Sequence, residues 1–369
     1  MPPSPAESPA PHAPDPHSPF DAARVAIVGP TGYTGRHLIE LLLAHPRAEL
    51  TYLASHRDRL PDITDEFPRL AGRLDDAVAQ CRPIDPAAIA RHADVAFLAL
   101  PHKAAMAHAP ALLDAGLTVI DLSADYRLAD QTLYETTYDT PHTDPAHLAQ
   151  AVYGLPELFR SQLPGAKLVA NPGCYPTTSA LAVAPFLSHA LVKADRVIVS
   201  AASGITGAGR SPKPALHYPE ANEAFAAYGS IGGHRHQPEI EQSLARVAGH
   251  PVPVLFVPHL LPIDQGILAT VYLDPATDDV TQAELFEALH DAYDGEPFVR
   301  VRGVDDALPN VKHVRDTNFC DITVRLAGPE DRPTVVVFAA IDNMIKGASG
   351  QAVQNLNAVL GWDETLGLI

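Results

Sequence analysis

The stretch "RVAIVGPTGYTGRHLIELLLAHP", residues 24–46, sets three glycines between an apolar run and an amphipathic run. The apolar run is typical of a buried strand, and the run after it is typical of a helix that Pro46 ends. Glycines allow the tight turn between the two and let the backbone approach an anionic group at the start of the helix. Gly29, Gly32 and Gly35 therefore predict the first strand, turn and helix of a dinucleotide-binding domain.

The spacing of these glycines is G-x-x-G-x-x-G, whereas most dinucleotide-binding turns read G-x-G-x-x-G. A simple strand-to-helix turn without a ligand is the alternative interpretation, but the strand before the turn and the helix after it favour the dinucleotide site. The second strand, "AELTYLAS", leads into "ASHRDR", where a ribose would lie. Ser55, Arg57 and Arg59 predict a site for the 2′-phosphate of NADP, whereas Asp58 leaves NAD as an alternative.

Strands and helices alternate through the first half of the chain. "AELTYLAS", "ADVAFLAL" and "LTVIDLS" are typical of strands and "AAMAHAPALLDAG" of a helix, so a parallel sheet of βαβ units is predicted. After Cys174 the strands follow one another with few helices between them: "ADRVIVSAASG", "VPVLFVPHLLP", "GILATVYLD" and "PTVVVFAAI". That pattern predicts a mostly antiparallel sheet with helices on one face.

The expected fold class is therefore α/β, a Rossmann-type dinucleotide-binding domain with an α+β catalytic domain. A chain of 369 residues is too long for a single core, which also favours two domains. We place the NADP-binding domain at residues 23–169 together with 346–369, because the last helix, "GASGQAVQNLNAVLG", can pack back onto it. The catalytic and oligomerisation domain takes residues 170–345. Residues 1–22 are rich in proline and poor in large apolar side chains, so we expect a disordered extension there.

Charge and cysteine usage narrow the class of protein. The net charge is −18, from 26 basic and 44 acidic side chains, which argues against a nucleic-acid or acidic-membrane partner. No apolar run reaches the roughly 20 residues that span a bilayer, and no basic-then-apolar leader opens the chain. The three cysteines lie far apart without metal-ligand spacing, and we interpret Cys81 and Cys320 as small buried side chains. We expect a cytoplasmic protein without a metal site.

Cys174 lies in "ANPGCYPTTSALAVA", residues 170–184, where the chain turns helical. Pro172 and Gly173 hold the approach, and the proline two residues after the cysteine suits the first turn of a helix. A helix dipole stabilises a thiolate at its N-terminus, so we expect a lowered pKa and a nucleophilic sulfur. A small buried side chain is the alternative interpretation.

Two histidines and a second glycine-rich loop supply polar groups for such a thiol. In "YGSIGGHRHQPEIEQ", His234 and His236 flank one residue, and in an extended segment they would point the same way, one as acid or base and one as support. A surface loop with two solvated histidines is the alternative, and no third ligand at matching spacing supports a metal. In "SAASGITGAGRSPKP", Ser203, Gly204 and Arg210 predict a site for an anionic group, unless the loop is merely flexible.

A nucleophilic cysteine beside a dinucleotide indicates one kind of reaction. The thiolate attacks an activated acyl group and forms a thioester, which a hydride from the nicotinamide reduces until it collapses to an aldehyde. Histidine suits the proton transfers near pH 7. The residues therefore predict an NADP-dependent acyl reductase.

In their order along the chain, a series of stretches resembles the N-acetyl-gamma-glutamyl-phosphate reductases of arginine biosynthesis, which share a structural superfamily with the aspartate-semialdehyde dehydrogenases. They are "GPTGYTG", "ALPHKAA", "DLSADYRL", "YGLPEL", "NPGCYPT", "SGITGAGR", "HRHQPEI", "HLLPIDQGIL", "TNFCDI" and "NMIKGASGQAVQN". The resemblance implies that N-acetyl-γ-glutamyl phosphate and NADPH give N-acetylglutamate semialdehyde, NADP and phosphate. It also implies a homo-oligomer, either a tetramer or a dimer.

The resemblance implies roles for individual residues. Cys174 would be the nucleophile and His234 the acid or base, with His236 and Tyr228 in the substrate pocket. The residues implied at the cofactor are Thr31, Gly32, Tyr33, Thr34 and Gly35 at the pyrophosphate, Ser55 and Arg57 at the 2′-phosphate, and Asn343 on the nicotinamide side.

Two positions depart from the pattern of this family. Gln265 stands where an arginine is usual before the glycine of "HLLPIDQGIL", and Asp316 replaces a common glycine before "TNFCDI". If that arginine holds an anionic substrate, this chain binds a slightly different substrate or places the charge elsewhere. Two alternatives therefore stay open. One is a reductase of carrier-linked aminoadipyl or glutamyl phosphate in lysine biosynthesis, and the other is a non-catalytic NADP-binding regulator.

Overall fold

The computed structural model describes residues 21–229 and 232–369, so the extension predicted at residues 1–22 lies outside the described residues except for Asp21 and Ala22. Within these ranges the chain folds around two seven-stranded sheets. The unit built on the first sheet is called the first domain, and the unit built on the second sheet is called the second domain.

The first sheet consists of parallel strands. They are β1 (Ala23–Val28), β2 (Ala48–Ser55), β3 (Arg82–Pro83), β4 (Val95–Leu98), β5 (Thr118–Asp121), β6 (Val152–Tyr153) and β7 (Leu168–Ala170). Their order in space is β3-β2-β1-β4-β5-β7-β6. β1, β4 and β5 are almost continuously buried, as expected of strands covered on both faces. The strand order reverses between β1 and β4, and ligands of such sheets bind beside that point.

The second sheet has strands of mixed direction. They are β8 (Val192–Ser203), β9 (Ala226–Ala227), β10 (Val254–Leu260), β11 (Ile267–Pro275), β12 (Val299–Val301), β13 (Cys320–Ala327) and β14 (Thr334–Ile341). Their order is β12-β13-β14-β11-β8-β10-β9. β8 pairs with β10 and β12 with β13 in parallel, and the other neighbours are antiparallel. The predicted fold class, a Rossmann-type domain with an α+β domain whose sheet is mostly antiparallel, is confirmed.

Helices cover both sheets. The α-helices of the described residues are α1 (Tyr33–Ala44), α2 (Ile63–Glu66), α3 (Asp76–Ala79), α4 (Pro86–His92), α5 (Ala109–Asp114), α6 (Gln131–Tyr138), α7 (Pro145–Leu148), α8 (Pro156–Phe159), α9 (Cys174–Ser188), α10 (Tyr218–Ala221), α11 (His236–Ala248), α12 (Gln282–Tyr293), α13 (Val311–Val314) and α14 (Gly350–Val359). Short 3₁₀ turns occupy Pro68–Leu70, Ala105–Ala107, Arg160–Gln162, Ile205–Ala208 and Pro214–Leu216, and a π-helical turn, Ile345–Ser349, leads into α14. None of the helices in residues 21–229 and 232–369 is long and apolar enough to cross a membrane.

The longest helix, α9, lies at the centre of the second domain. Its side chains are buried from the second residue almost to the end, and it packs with α11 and α12 against β8, β11 and β14. A helix that is apolar on every side is stable only in such a core. The first turn of α9 is therefore held rigidly where β7 of the first domain ends.

α14 packs against the first domain although it follows the second domain in the sequence. Ala352, Val353 and Leu356 share a hydrophobic core with Val25 and Ile27 of β1. Burying one large apolar side chain contributes about 1.5–3 kcal/mol relative to exposing it. The segment after the second domain therefore completes the core of the first.

Candidate active site

The glycine loop joins β1 to α1 at the reversal point of the first sheet. Gly29 has a φ of 88°, and a side chain there would place its Cβ 2.6 Å from the Ala99 carbonyl oxygen. A Cβ on Gly35 would lie 2.6 Å from the Pro30 backbone, whereas a Cβ on Gly32 would meet nothing within 4 Å. Gly32 is the N-cap of α1, so this open space lies where the N–H groups of a helix point outward. The loop fits the pyrophosphate of a dinucleotide.

The end of β2 brings together Ser55 and Arg57, two of the three residues predicted at a 2′-phosphate. Ser55 is buried, and its Oγ accepts a hydrogen bond of 3.3 Å from the backbone N–H of Arg57. The Arg57 guanidinium donates to Glu66 Oε1 over 2.5 Å. Sequence reasoning did not find Glu66, because nothing in its own surroundings indicates a contact with Arg57.

Cys174 is the first residue of α9, directly after the N-cap Gly173, and part of its surface is accessible. Burial nevertheless raises the pKa of the thiol to about 11, while the charge of Arg127 and the backbone N–H of Tyr175 act in the opposite direction. The predicted lowering of this pKa is wrong for the protein alone. The loss of hydration destabilises the thiolate more than the N-terminus of α9 stabilises it. The resting group is a thiol that must lose its proton before it can attack.

The two predicted histidines lie around the Tyr175 ring. The ring centroids of His234 and His236 are 5.9 and 5.8 Å from that of Tyr175. The Tyr228 hydroxyl donates to the Tyr175 hydroxyl over 3.2 Å, and the Tyr228 ring lies 5.7 Å from His234. His236 begins α11, so the expected extended segment is wrong. Both imidazoles still face the residue next to Cys174, because the first turn of α11 packs on that of α9.

A backbone hydrogen bond sets the tautomer of His234. The N–H of His236 donates to His234 Nδ1 over 3.1 Å. Nδ1 must accept this bond, so in the neutral ring the hydrogen is on Nε2. Burial and the nearby charge of Arg235 lower the pKa of His234 to about 4, and burial lowers the pKa of His236 well below its ordinary value. At pH 7 both imidazoles are neutral, and His234 offers an N–H donor at Nε2.

A buried carboxylate and a buried guanidinium support the first turn of α9. Glu239 Oε1 accepts hydrogen bonds of 2.8 Å from the Gly173 N–H and from the Tyr153 hydroxyl. Glu239 Oε2 lies 3.6 Å from Arg127 Nη1, and Arg127 Nε donates to the Asn171 carbonyl oxygen over 2.7 Å. Sequence reasoning missed both charged residues, although "DLSADYRL" and "HRHQPEI" contain them, because only folding brings these stretches together.

Ser203, Gly204 and Asn343 lie together at the end of β8. The Ser203 hydroxyl donates to the Gly204 carbonyl oxygen over 3.0 Å, and a Cβ on Gly204 would lie 2.5 Å from a neighbouring backbone oxygen. Asn343 Oδ1 accepts from the Gly266 N–H over 2.7 Å, and its Nδ2 donates to Thr206 Oγ1 over 3.0 Å. The Asn343 amide thus holds loops of the second domain in place.

Arg210 does not join these residues. Its Nη1 donates to the Thr31 carbonyl oxygen over 3.0 Å and to Glu66 Oε2 over 2.5 Å, both in the first domain. The predicted place of Arg210 beside a substrate anion therefore differs from its observed place at the glycine loop, because the loop after β8 reaches across the domain boundary. Thr34 of the same loop is also held from a distance, since Ser349 Oγ donates to its carbonyl oxygen over 2.9 Å.

The two positions that depart from the family pattern meet at the boundary between the domains. Gln265 is only 3% exposed, and its amide nitrogen donates to Asp342 over 3.1 Å and to Asp316 over 3.3 Å. Its amide oxygen accepts from His37 Nε2 of α1 over 2.8 Å. Asp316 has a φ of 60°, a conformation that glycine adopts more easily. The charge that an arginine at position 265 would bring is absent from this boundary, and the contacts of Gln265 are with the protein itself.

The π-helical turn before α14 packs directly on Cys174. A Cβ on Gly347 would lie 2.6 Å from the Cβ of Cys174, so this position has room for glycine alone. The neighbouring Lys346 is fully buried, and its Nζ donates to Glu157 over 2.6 Å and to Gln354 over 2.7 Å. A buried ammonium group needs such partners, and together they hold the turn against the thiol.

Cys81 and Cys320 are buried free thiols, as predicted. Burial raises the pKa of each to about 12, which suppresses the thiolate. In the described parts of the chain, no three His, Cys, Asp or Glu side chains are grouped as a metal site.

Comparison with known proteins gives two family models and many relatives. The model described as "Semialdehyde dehydrogenase, NAD binding domain" matches residues 24–166, and "Semialdehyde dehydrogenase, dimerisation domain" matches residues 174–343. Proteins named N-acetyl-gamma-glutamyl-phosphate reductase from Citrifermentans bemidjiense and Symbiobacterium thermophilum are 48% and 46% identical, each over 94% of this chain and 97% of the relative. Aspartate semialdehyde dehydrogenase II from Vibrio cholerae shares the fold, with a TM-score of 0.67 at 15% identity over 91% of this chain and 98% of that one.

Proposed function

We propose that this chain, which belongs to the N-acetyl-gamma-glutamyl-phosphate reductase family, reduces N-acetyl-γ-glutamyl phosphate with NADPH to N-acetylglutamate semialdehyde and phosphate in arginine biosynthesis. The observation that carries the proposal is the Cys174 thiol at the start of α9, next to the Tyr175 ring and the neutral imidazoles around it. The carrier-linked substrate is not favoured, because the relatives compared are named for the free acetylated one. The non-catalytic alternative is not favoured either, because thiol, imidazoles and glycine loop occur together.

Cys174 supplies the nucleophile. Its proton leaves as the sulfur attacks the acyl carbon of the substrate, and neutral His234 does not take this proton, because Nε2 already carries a hydrogen and Nδ1 accepts a hydrogen bond. The bond from that carbon to the phosphate oxygen breaks, which leaves a thioester on Cys174 and a phosphate that takes up the proton. A protein without this thiol forms no thioester. The reduction can then no longer be divided into acyl transfer to the sulfur and hydride transfer to the thioester.

The glycine loop, Ser55 and Arg57 would hold the cofactor at the reversal point of the first sheet. NADPH supplies the hydride that reduces the thioester. His234 Nε2–H donates to the acyl oxygen as negative charge develops on it, which lowers the energy of the transition state. When the C–S bond breaks, the aldehyde leaves, and the sulfur of Cys174 takes up a proton from solvent, because the first proton left with the phosphate.

Glu239 and Arg127 position the nucleophile without touching the reacting atoms. Glu239 holds the Gly173 N–H, and Arg127 holds the strand end before it. Together they fix the direction in which α9 presents the thiol. Tyr228 and His236 line the substrate pocket beside it in our proposal, as do Ser203 and Gly204 at the end of β8, and Asn343 borders the nicotinamide side.

The second domain offers a surface for a homo-oligomer, a dimer or a tetramer. On the face of the sheet opposite α9, the row Leu255, Ile198, Tyr272 and Val336 crosses neighbouring strands in register. Leu255 and Tyr272 are 42% and 41% exposed, and an apolar row of this kind is stabilised by a second copy.

We place the domain bounds at 23–169 with 346–369 and at 170–345. We also place the enzyme in the reducing cytoplasm, where Cys174 stays a thiol.

The reverse reaction tests the proposed function. The protein is given N-acetylglutamate semialdehyde, NADP and phosphate, and NADPH formation is followed by absorbance. We expect phosphate-dependent NADPH formation that Cys174→Ala abolishes and Cys81→Ala retains. Folded wild-type protein that forms no NADPH with this substrate would overturn the proposal, and the carrier-linked substrate would be assayed next.

A further inference from the structure

One carboxylate joins two arginines from different domains beside the glycine loop. Glu66 Oε1 lies 2.5 Å from Arg57 Nη1, and Glu66 Oε2 lies 2.5 Å from Arg210 Nη1. The Arg210 guanidinium also lies 4.7 Å above the Phe67 ring and donates to the Thr31 carbonyl oxygen. Arg210 belongs to the second domain, whereas its three partners, Glu66, Phe67 and Thr31, belong to the first. The two guanidinium groups therefore converge on one point of negative charge.

The Glu66 carboxylate lies where NADPH would carry its 2′-phosphate. Arg57 follows β2, whose carboxyl end meets the adenosine ribose in domains of this type. Thr31 belongs to the glycine loop that would receive the pyrophosphate. The Arg210 side chain thus lies between the ribose end and the pyrophosphate end of the site, and it is 36% exposed toward solvent.

A phosphate suits these arginines better than the carboxylate of Glu66 does. The 2′-phosphate carries close to two negative charges and three acceptor oxygens, whereas Glu66 carries one charge and two oxygens. Arginine binds such oxygens in a planar, two-pronged geometry. The hydrogen bond from Arg210, followed by that from Arg57, lowers the pKa of Glu66, so the carboxylate is ionised at neutral pH and competes for both guanidinium groups.

We propose that Arg210 and Arg57 together bind the 2′-phosphate of NADPH, and that Glu66 occupies both guanidinium groups until this phosphate displaces it. The proposal rests on the use of NADPH stated above, and it makes Arg210 a cofactor residue and not a substrate residue. NADH has no 2′-phosphate, so it cannot exchange with Glu66. The competition therefore favours NADPH over NADH, and the bound 2′-phosphate joins the two domains through Arg210.

Removing Arg210 tests the first part. NADPH, NADH and adenosine 2′,5′-bisphosphate are titrated into the full-length protein by calorimetry. We expect Arg210→Gln to weaken NADPH and the bisphosphate by about 10-fold to 100-fold, the range for one lost charge-assisted contact, and to change NADH less than about twofold. The matched control is Arg196→Gln, which removes another exposed arginine of the second domain that pairs with Asp274. It should leave the affinity for each of the three compounds unchanged.

Neutralising Glu66 tests the second part. Glu66→Gln keeps the size of the side chain and removes its charge, so we expect NADPH to bind about 3-fold to 10-fold more tightly and NADH to bind as before. Asp65→Asn is the control, because Asp65 is the exposed acidic neighbour of Glu66 in α2. If it tightens NADPH as much as Glu66→Gln does, the effect is general electrostatics and the displacement mechanism is overturned.

The outcomes separate this inference from the proposed function. If the wild-type protein binds NADPH no better than NADH, the proposed use of NADPH fails, whatever Arg210 does. If the wild-type protein prefers NADPH and Arg210→Gln weakens both nucleotides equally or neither, the inference is overturned and the proposed function stands. If Arg210→Gln raises only the KM for the acyl phosphate, Arg210 is a substrate residue after all. A thermal melt of each variant shows that it is folded before titration.

Discussion

The glycine loop and the Cys174 site are built in opposite ways. The loop is one continuous stretch from Gly29 to Gly35, and its shape follows from backbone angles and from the absence of side chains. The Cys174 site is assembled from distant parts of the chain, among them Glu239 in α11 and Gly347 before α14. The turn of the loop keeps its shape through local backbone geometry, although Arg210 and Ser349 bind two of its carbonyl oxygens, whereas the Cys174 site depends on each contributing segment. The two sites should therefore fail independently and for different reasons.

His234→Asn is expected to separate the function of the Cys174 site from that of the glycine loop most strongly. Losing the Nε2–H donor should lower kcat by roughly 100-fold or more, the usual scale of a general acid or base. The affinity for NADPH, measured by fluorescence titration, should not change, because the glycine loop is untouched. The control is His250→Asn, an exposed histidine of the second domain. A larger loss of kcat from His236→Asn would show that the roles within the pair are exchanged.

A smaller effect on rate, with a loss of stability, is expected from Glu239→Gln. The amide can still accept from the Gly173 N–H, but Arg127 loses its buried counter-charge. We expect kcat to fall by about tenfold and the free energy of unfolding to fall by about 3 kcal/mol. Denaturant unfolding and steady-state kinetics measure the two effects, with the exposed Glu287→Gln as the control. Equal stability of both variants would mean that the pair does not support α9.

The reactivity of the thiol should depend on pH over a wide range. Because the pKa of Cys174 is raised to about 11, the thiolate fraction below that value increases with pH. Alkylation of Cys174 by iodoacetamide should therefore accelerate about tenfold for each pH unit between pH 7 and pH 9. Mass spectrometry of the Cys174 peptide measures the rate, and Cys174→Ala shows the labelling of the buried thiols. A plateau near pH 7 would mean that the helix end outweighs burial.

The smallest effect is expected from Gly32→Ala in the glycine loop. A methyl group there meets nothing within 4 Å in the protein, so the free energy of unfolding should fall by no more than about 1 kcal/mol, the scale of an N-cap substitution. The same methyl enters the space in front of α1, so NADPH should bind a few-fold more weakly. Gly303→Ala, in a loop of the second domain, is the control. Unchanged NADPH affinity would place the pyrophosphate elsewhere.

Much of the first domain could be predicted because its signals are local. β1, β2, β4 and β5 are short apolar runs, and the turn after β1 contains glycines whose geometry leaves little room for anything else. Cys174 was predicted at a helix start for the same reason, since Pro172 and Gly173 restrict the backbone around it. The strands β9 and β12 are two and three residues long, too short to produce a pattern, and the sequence did not predict them.

The contacts across the domain boundary could not be predicted. The sequence indicates that Arg210 can bind an anion but not which one. Only the folded path of its loop shows that it contacts Glu66. The sign of the pKa shift at Cys174 also depends on burial, which is a property of the folded chain. Arg127 and Glu239 illustrate the same limit, because the ion pair between them joins two stretches that are far apart in the sequence.

The place of α14 has a consequence for how the chain is made. A ribosome that has delivered β1 to β7 has not yet delivered Ala352, Val353 or Leu356, which complete the core around β1. The hydrophobic core of the first domain therefore stays incompletely covered while the second domain is translated. Gly347 also follows the second domain in the sequence, so its contact with Cys174 forms only after that domain has been translated. A nascent chain that already contains Cys174 and the glycine loop therefore still lacks the glycine that packs against the thiol.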